Sequence, residues 1–165
     1  MALAGCVTPK VDRGPERDAA RALLEGAGEP ESIQERMKLH RARLILIAEA
    51  AESDKTIGQN PFSAIVLILP SEMWLVLEQI GCTSGRGTWE VRDRKGTQRE
   101  GRIYDTIAAR CGGVQDRTFV FDTTLWQDLT MAMTAAGEPP PGFTQAEVEY
   151  LVNRELGRSL GAVSD

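Results

Sequence analysis

TWEVRDRKGTQREGRIYDTIAARCGGVQDRTFVFD, residues 88–122, decides the fold. Apolar residues in it recur at every second position, not every third or fourth. Side chains of a strand point alternately to opposite faces, so this period marks a sheet with one face buried. Trp89-Glu-Val-Arg92 alternates first, Arg102-Ile-Tyr-Asp-Thr-Ile-Ala108 alternates again, and Thr118-Phe-Val-Phe-Asp122 makes a third strand. Lys95-Gly96 and Gly112-Gly113 supply the turn signals between them. Turns that short join antiparallel neighbours.

Before this region the periods are helical or continuous. Pro15 to Leu24 reads as a short helix closed by Gly26, and Gly28-Glu-Pro30 breaks the chain. Ser32-x-x-Glu35 has the form of a capping box, with the side chains at both ends satisfying free N–H groups. Ile33, Met37, His40, Leu44, Ile47 and Ala51 then form one apolar stripe, and Glu35, Arg36, Arg41, Arg43 and Glu49 lie on the other side. Ala64 to Leu69 is a continuous apolar run, the mark of a buried strand, ended by Pro70. Ser71 is placed to cap a helix reaching Ile80, with Met73, Trp74, Leu77 and Ile80 inward and Gly81 as its stop.

After the strands, Thr123 or Thr124 starts a helix carrying Leu125, Trp126, Leu129 and Met133. Glu138-Pro-Pro-Pro-Gly142 is a stiff spacer. Thr144-x-x-Glu147 is a second capping box, Phe143 can staple onto Val148, and Val148, Leu151, Val152 and Leu156 form the last apolar face. The expected architecture is α+β, order ααβαβββαα, with a small antiparallel sheet of about four strands packed with helices. Residues 1–14 read as a tether and 15–165 as one domain.

Composition narrows the function. A chain of 165 residues that is 42% hydrophobic and 26% charged has the makings of a globular core. Net charge is −5, which argues against nucleic acid as a main partner, since phosphate binding needs massed Lys and Arg. Arg92, Arg94, Lys95, Arg99 and Arg102 do cluster, but Glu90, Asp93, Glu100 and Asp105 dilute their field. The longest apolar candidate for a membrane span, Ala64 to Ile80, is interrupted by Pro70, Ser71, Glu72 and Glu78.

Leu3-Ala-Gly-Cys6 has the form of a bacterial lipobox, in which cleavage before the cysteine exposes it for lipidation. Only Met1 and Ala2 precede it, whereas an export leader needs a basic start and an apolar core. Either such a leader lies upstream, or the match is coincidental and Cys6 is a free thiol on a cytoplasmic chain. If Cys6 is acylated, Cys82 and Cys111 remain as an even pair, which an oxidising compartment would join. The other reading is two separate buried thiols.

Four landmarks run in order from Gly58 to Asp122: Asn60-Pro-Phe-Ser-Ala-Ile-Val66, Glu72-Met-Trp-Leu-Val-Leu-Glu-Gln-Ile-Gly81, Gly101-Arg-Ile-Tyr-Asp105 and Phe119-Val-Phe-Asp122. They are similar to the C-terminal part of a family of uncharacterised bacterial exported proteins and lipoproteins. The resemblance implies export from a bacterial cell and assigns no activity.

Few groups invite chemistry. The one histidine, His40, sits on an apolar stripe, where a packed imidazole is the expectation. Cys82 and Cys111 lack the close spacing of a zinc site. The Gly-rich stretch 81–87 lacks the Lys-Ser/Thr of a phosphate cradle. No metal and no cofactor is expected. Asp105 and Asp122, on strands expected to be neighbours, and Tyr104 beside the first, are the candidate binding groups. Trp89, opening a strand after a Gly-rich loop, is the candidate exposed contact, whereas Trp74 and Trp126 are expected to fill the core.

The leading expectation is a non-enzymatic, lipid-anchored domain on the periplasmic side of a bacterial membrane, binding another protein. The alternatives are a soluble cytoplasmic or phage-encoded interaction or immunity protein, and a hydrolase working through Asp105 and Asp122.

Overall fold

The computed structural model describes residues 12–82, 88–113, 115–134 and 137–161. Cys6 with the lipobox-like stretch before it and the Gly-rich positions 83–87 lie outside the described residues. The chain order is α1 (Gly14–Glu25), α2 (Ile33–Ser53), a short 3-10 turn at Pro61–Ser63, β1 (Ile65–Val66), α3 (Glu72–Gln79), β2 (Trp89–Arg99), β3 (Arg102–Cys111), β4 (Gln115–Asp122), α4 (Thr124–Ala132) and α5 (Gln145–Gly161). The fold is α+β, as the alternating and helical periods require.

The four strands lie in the order β1-β4-β3-β2. β2, β3 and β4 are antiparallel neighbours, but β1 pairs parallel with β4, Ile65 opposite Phe121 and Val66 opposite Asp122. The sheet is therefore mixed, not wholly antiparallel. A parallel partner needs a long crossover, and α3 with the β2–β3 hairpin supplies it. β1 is also far shorter than the apolar run Ala64–Leu69. Only two residues join the ladder; Ile68 and Leu69 give their N–H groups to Glu72 instead.

The first hairpin turns at Glu100-Gly101, not at Lys95-Gly96. Arg99 pairs with Arg102, and both turn residues have positive φ, 53° and 77°. That is the mirror-image turn whose twist suits a two-residue hairpin. A bulge between Val91 and Asp93 shifts the phase of β2, so the alternation read at Trp89–Arg92 does not continue beyond it.

One face of the sheet carries Phe119, Phe121, Ile107 and Ala109 against Leu44 and Ala48 of α2 and Val76, Leu77 and Ile80 around α3. Burying an aliphatic side chain of this kind contributes about 1.5–3 kcal/mol. A second apolar cluster joins Ile33 and Met37 of α2 to Leu69, Leu129, Val148 and Leu151. α2 thus serves both clusters, and its buried surface is wider than one stripe: Leu39, Ala42 and Ile45 are buried as well.

The helix ends are settled locally and by neighbours. Thr144 Oγ1 accepts the Glu147 N–H at 3.3 Å and Glu147 Oε2 accepts the Thr144 N–H at 2.7 Å, a complete capping box. Ser32 caps Glu35 at 3.2 Å, but Glu35 reaches the N–H of Glu31. Ser71 does not cap α3 with its hydroxyl; that group goes to Glu155. At the other end of α3, Arg13 Nε donates to Glu78 O and Arg17 Nη2 to Gln79 O, each at 2.7 Å. Two cations, Arg13 just before α1 and Arg17 within it, thereby meet the negative end of a helix that has no basic residue in its last turn.

Candidate functional site

Gln34, Met37, Lys38 and Arg41 fall at helical steps of three and four, so they share one face of α2. Opposite them stand Ser71, Glu72 and Leu75 of the α3 start, with Leu69 between and Arg154 of α5 closing the end. Together they line a groove of about 360 Å³. Lys38, Arg41 and Arg154 are exposed, and among the described residues no carboxylate pairs with them. Arg36, close by on α2, is instead engaged with Glu147 at 3.7 Å and with the carbonyl of Gly142 at 2.6 Å.

Two buried carboxylates hold the groove wall in place. Glu72 Oε2 accepts N–H groups from Ile68 at 2.8 Å and Leu69 at 3.0 Å. Glu155 Oε1 accepts the Ser71 N–H at 2.6 Å, and its Oε2 accepts the Ser71 hydroxyl at 2.8 Å. Both acids sit at the start of α3, where the free N–H groups and the helix dipole favour negative charge. His40 Nε2 stands 3.2 Å from Glu72 Oε2, off the line of a hydrogen bond.

The described positions singled out from sequence lie outside this groove, and the two cysteines pair as expected. Cys82 and Cys111 form a disulfide with Cα atoms 5.5 Å apart, joining the exit of α3 to the end of β3. Trp89 is half-buried: its indole N–H donates to Ile80 O at 2.8 Å and its ring meets Phe119 edge-on with centroids 5.2 Å apart. The exposed tryptophan is Trp74, 54% accessible, which the helical pattern had placed inward. Met133 and Leu156, also read as inward, are exposed.

Cross-strand partners share a face and successive residues alternate. Asp105 lies opposite Phe121, and Asp122 lies opposite Tyr104. The two carboxylates therefore leave the sheet on opposite sides. A hydrolytic pair must flank one common bond, and here the sheet itself lies between the two carboxylates. Asp105 instead bonds Arg94 at 2.6 Å. Asp122 accepts the Thr124 N–H at 3.0 Å and its hydroxyl at 2.6 Å, capping α4, and lies 3.4 Å from Arg102. Tyr104 is buried beside it.

Among the described residues no group of three or more His, Cys, Asp or Glu side chains is placed to hold a metal ion, and no helix is long and apolar enough to cross a membrane. The groove escaped the sequence reading because Lys38 and Arg41 belong to an ordinary solvated helix face until Arg154 arrives from the far end of the chain. Compared with protein-family models, curated proteins and solved structures, the chain matches none of them.

Proposed function

We infer that the chain is a lipid-anchored domain of the bacterial envelope, facing the periplasm, that binds another protein and carries out no bond chemistry of its own. The observation that carries this reading is the Cys82–Cys111 disulfide. Disulfides persist where thiols are oxidised, in the periplasm and outside the cell, and are rare in the cytosol. With those two cysteines joined, Cys6 is the remaining thiol in the sequence, and it stands in the lipobox. The separation of Asp105 from Asp122 across the sheet supports a binding role over hydrolysis.

Palmitate labelling tests the anchor. The gene is expressed in its host with its upstream codons, and label is expected in the chain and lost in Cys6→Ala. Absence of label, together with three alkylatable thiols in denatured, unreduced protein, would overturn both the anchor and the compartment in favour of a cytoplasmic interaction protein.

A further inference from the structure

The geometry points to the groove between α2, α3 and α5 as a docking site for an acidic, amphipathic segment of another protein. This rests on the protein-binding reading above and adds the surface and the chemistry of the partner.

Charge is the first argument. The chain carries a net charge of −5, yet three basic side chains from two helices meet at this one groove without acidic partners among the described residues. Like charges one helical turn apart, as Lys38 and Arg41 are, destabilise a helix slightly. An anionic visitor relieves that repulsion. Two acids, Glu72 in the groove lining and Glu155 behind Ser71, offset part of that charge from the floor, while the three cations hold the exposed rim. Glu72 and Glu155 are buried and already accept hydrogen bonds from Ile68, Leu69 and Ser71.

Shape and polarity narrow the occupant. Met37, Leu69 and Leu75 give the groove an apolar lining beneath its basic rim. Its volume, about 360 Å³, lies at the small end of ligand pockets, roughly 300–1,000 Å³. That suits one or two side chains of a peptide. An inorganic anion has nothing to place on the apolar lining. A membrane surface, flat on this scale, meets the rim and leaves the lining bare. Trp74 lies one turn beyond Ser71 on α3 and is exposed, offering an aromatic anchor of the kind that dominates binding energy at interfaces. The wall is held by the Glu155–Ser71 and Glu72 bonds, so little ordering accompanies docking.

The test is selection of a random dodecapeptide library on the full, disulfide-bonded chain. Enriched peptides are expected to be acidic with interspersed apolar residues. Binding of a synthetic winner is expected to fall about tenfold or more in Lys38→Glu/Arg41→Glu, to weaken with added salt, and to hold in Arg43→Glu, an exposed arginine of α2 outside the groove. Arg154→Gln, on a different helix, repeats the loss without charge reversal on α2, and near-UV circular dichroism confirms that each variant is folded. Any one of three results overturns the proposal: no enrichment over the doubly reversed chain, winners without acidic bias, or displacement of the winner by inorganic phosphate or by phosphatidylglycerol vesicles. The assay uses purified protein, so a failed palmitate experiment leaves it standing, and its own failure leaves the anchor standing.

Discussion

Ser71 gives both its donors to one residue: its N–H reaches Glu155 Oε1 at 2.6 Å and its hydroxyl reaches Oε2 at 2.8 Å. The bond pair spans 84 residues of chain and pins α5 to the start of α3. Glu155 is only 5% exposed, so water replaces it poorly.

Glu155→Ala is therefore expected to destabilise the fold by about 2–3 kcal/mol, the scale of hydrogen bonds to a buried charged group. Urea titration reads this directly. Loss within the noise of a surface substitution would show that α5 is held by its apolar face alone.

Arg17, Glu52 and Gly81 make a second such node. Arg17 Nη1 donates to Glu52 Oε2 at 2.9 Å, and the Gly81 N–H donates to Glu52 Oε1 at 2.5 Å. Burial by itself would raise the Glu52 pKa, but these two hydrogen bonds and the charges of Arg17 and Arg13 outweigh it and hold the group below its ordinary 4.5. A carboxyl that binds its proton more weakly when folded adds stability above pH 4.5 and loses it as the pH falls through the lower folded value. Melting temperature against pH is expected to drop in that acid range, and less steeply in Glu52→Gln. Parallel curves would remove Glu52 from the account.

On the chain-entropy relation, reduction of Cys82–Cys111 is expected to cost about 3–4 kcal/mol for a sequence separation of 29. In a protein of this size that lowers the melting temperature by about 10 °C. Cys82→Ser/Cys111→Ser should match the reduced wild type, and calorimetry with and without reductant checks both.

Glu100 occupies the left-handed region at φ 53° beside Gly101. That conformation costs an ordinary residue about 1–2 kcal/mol, and asparagine much less. The exposed contact of Glu100 with Arg99, at 3.4 Å, is worth at most about 1 kcal/mol. Strain outweighs the ion pair, so Glu100→Asn is expected to stabilise by about 0.5–1 kcal/mol in denaturant titrations.

Local signals in the sequence translate well into structure where one short stretch decides the outcome. Thr144 and Glu147 cap α5 because both partners lie within one turn. Gly112 and Gly113 turn the chain because both adopt positive φ. The misread features depend on distant partners. β1 lies parallel to β4 because α3 and the hairpin carry the chain across, and nothing within Ile65-Val66 encodes that direction. Lys95-Gly96 looked like a turn because the bulge at Val91/Asp93 erases the alternation, and residues 92–99 face solvent on both sides. The groove needs Arg154 beside Lys38 and Arg41, a meeting that only tertiary packing arranges. Cys82 and Cys111 formed a readable pair only by counting, and their 5.5 Å approach comes from β3 ending beneath the exit of α3.

The covalent bridge encloses the hairpin tip, since Glu100 and Gly101 lie between the two cysteines in the chain and are exposed. A protease that clips this tip severs the backbone yet liberates no fragment, because the two pieces stay linked through sulfur. Nicked and whole molecules then co-migrate on a denaturing gel until a reductant parts them.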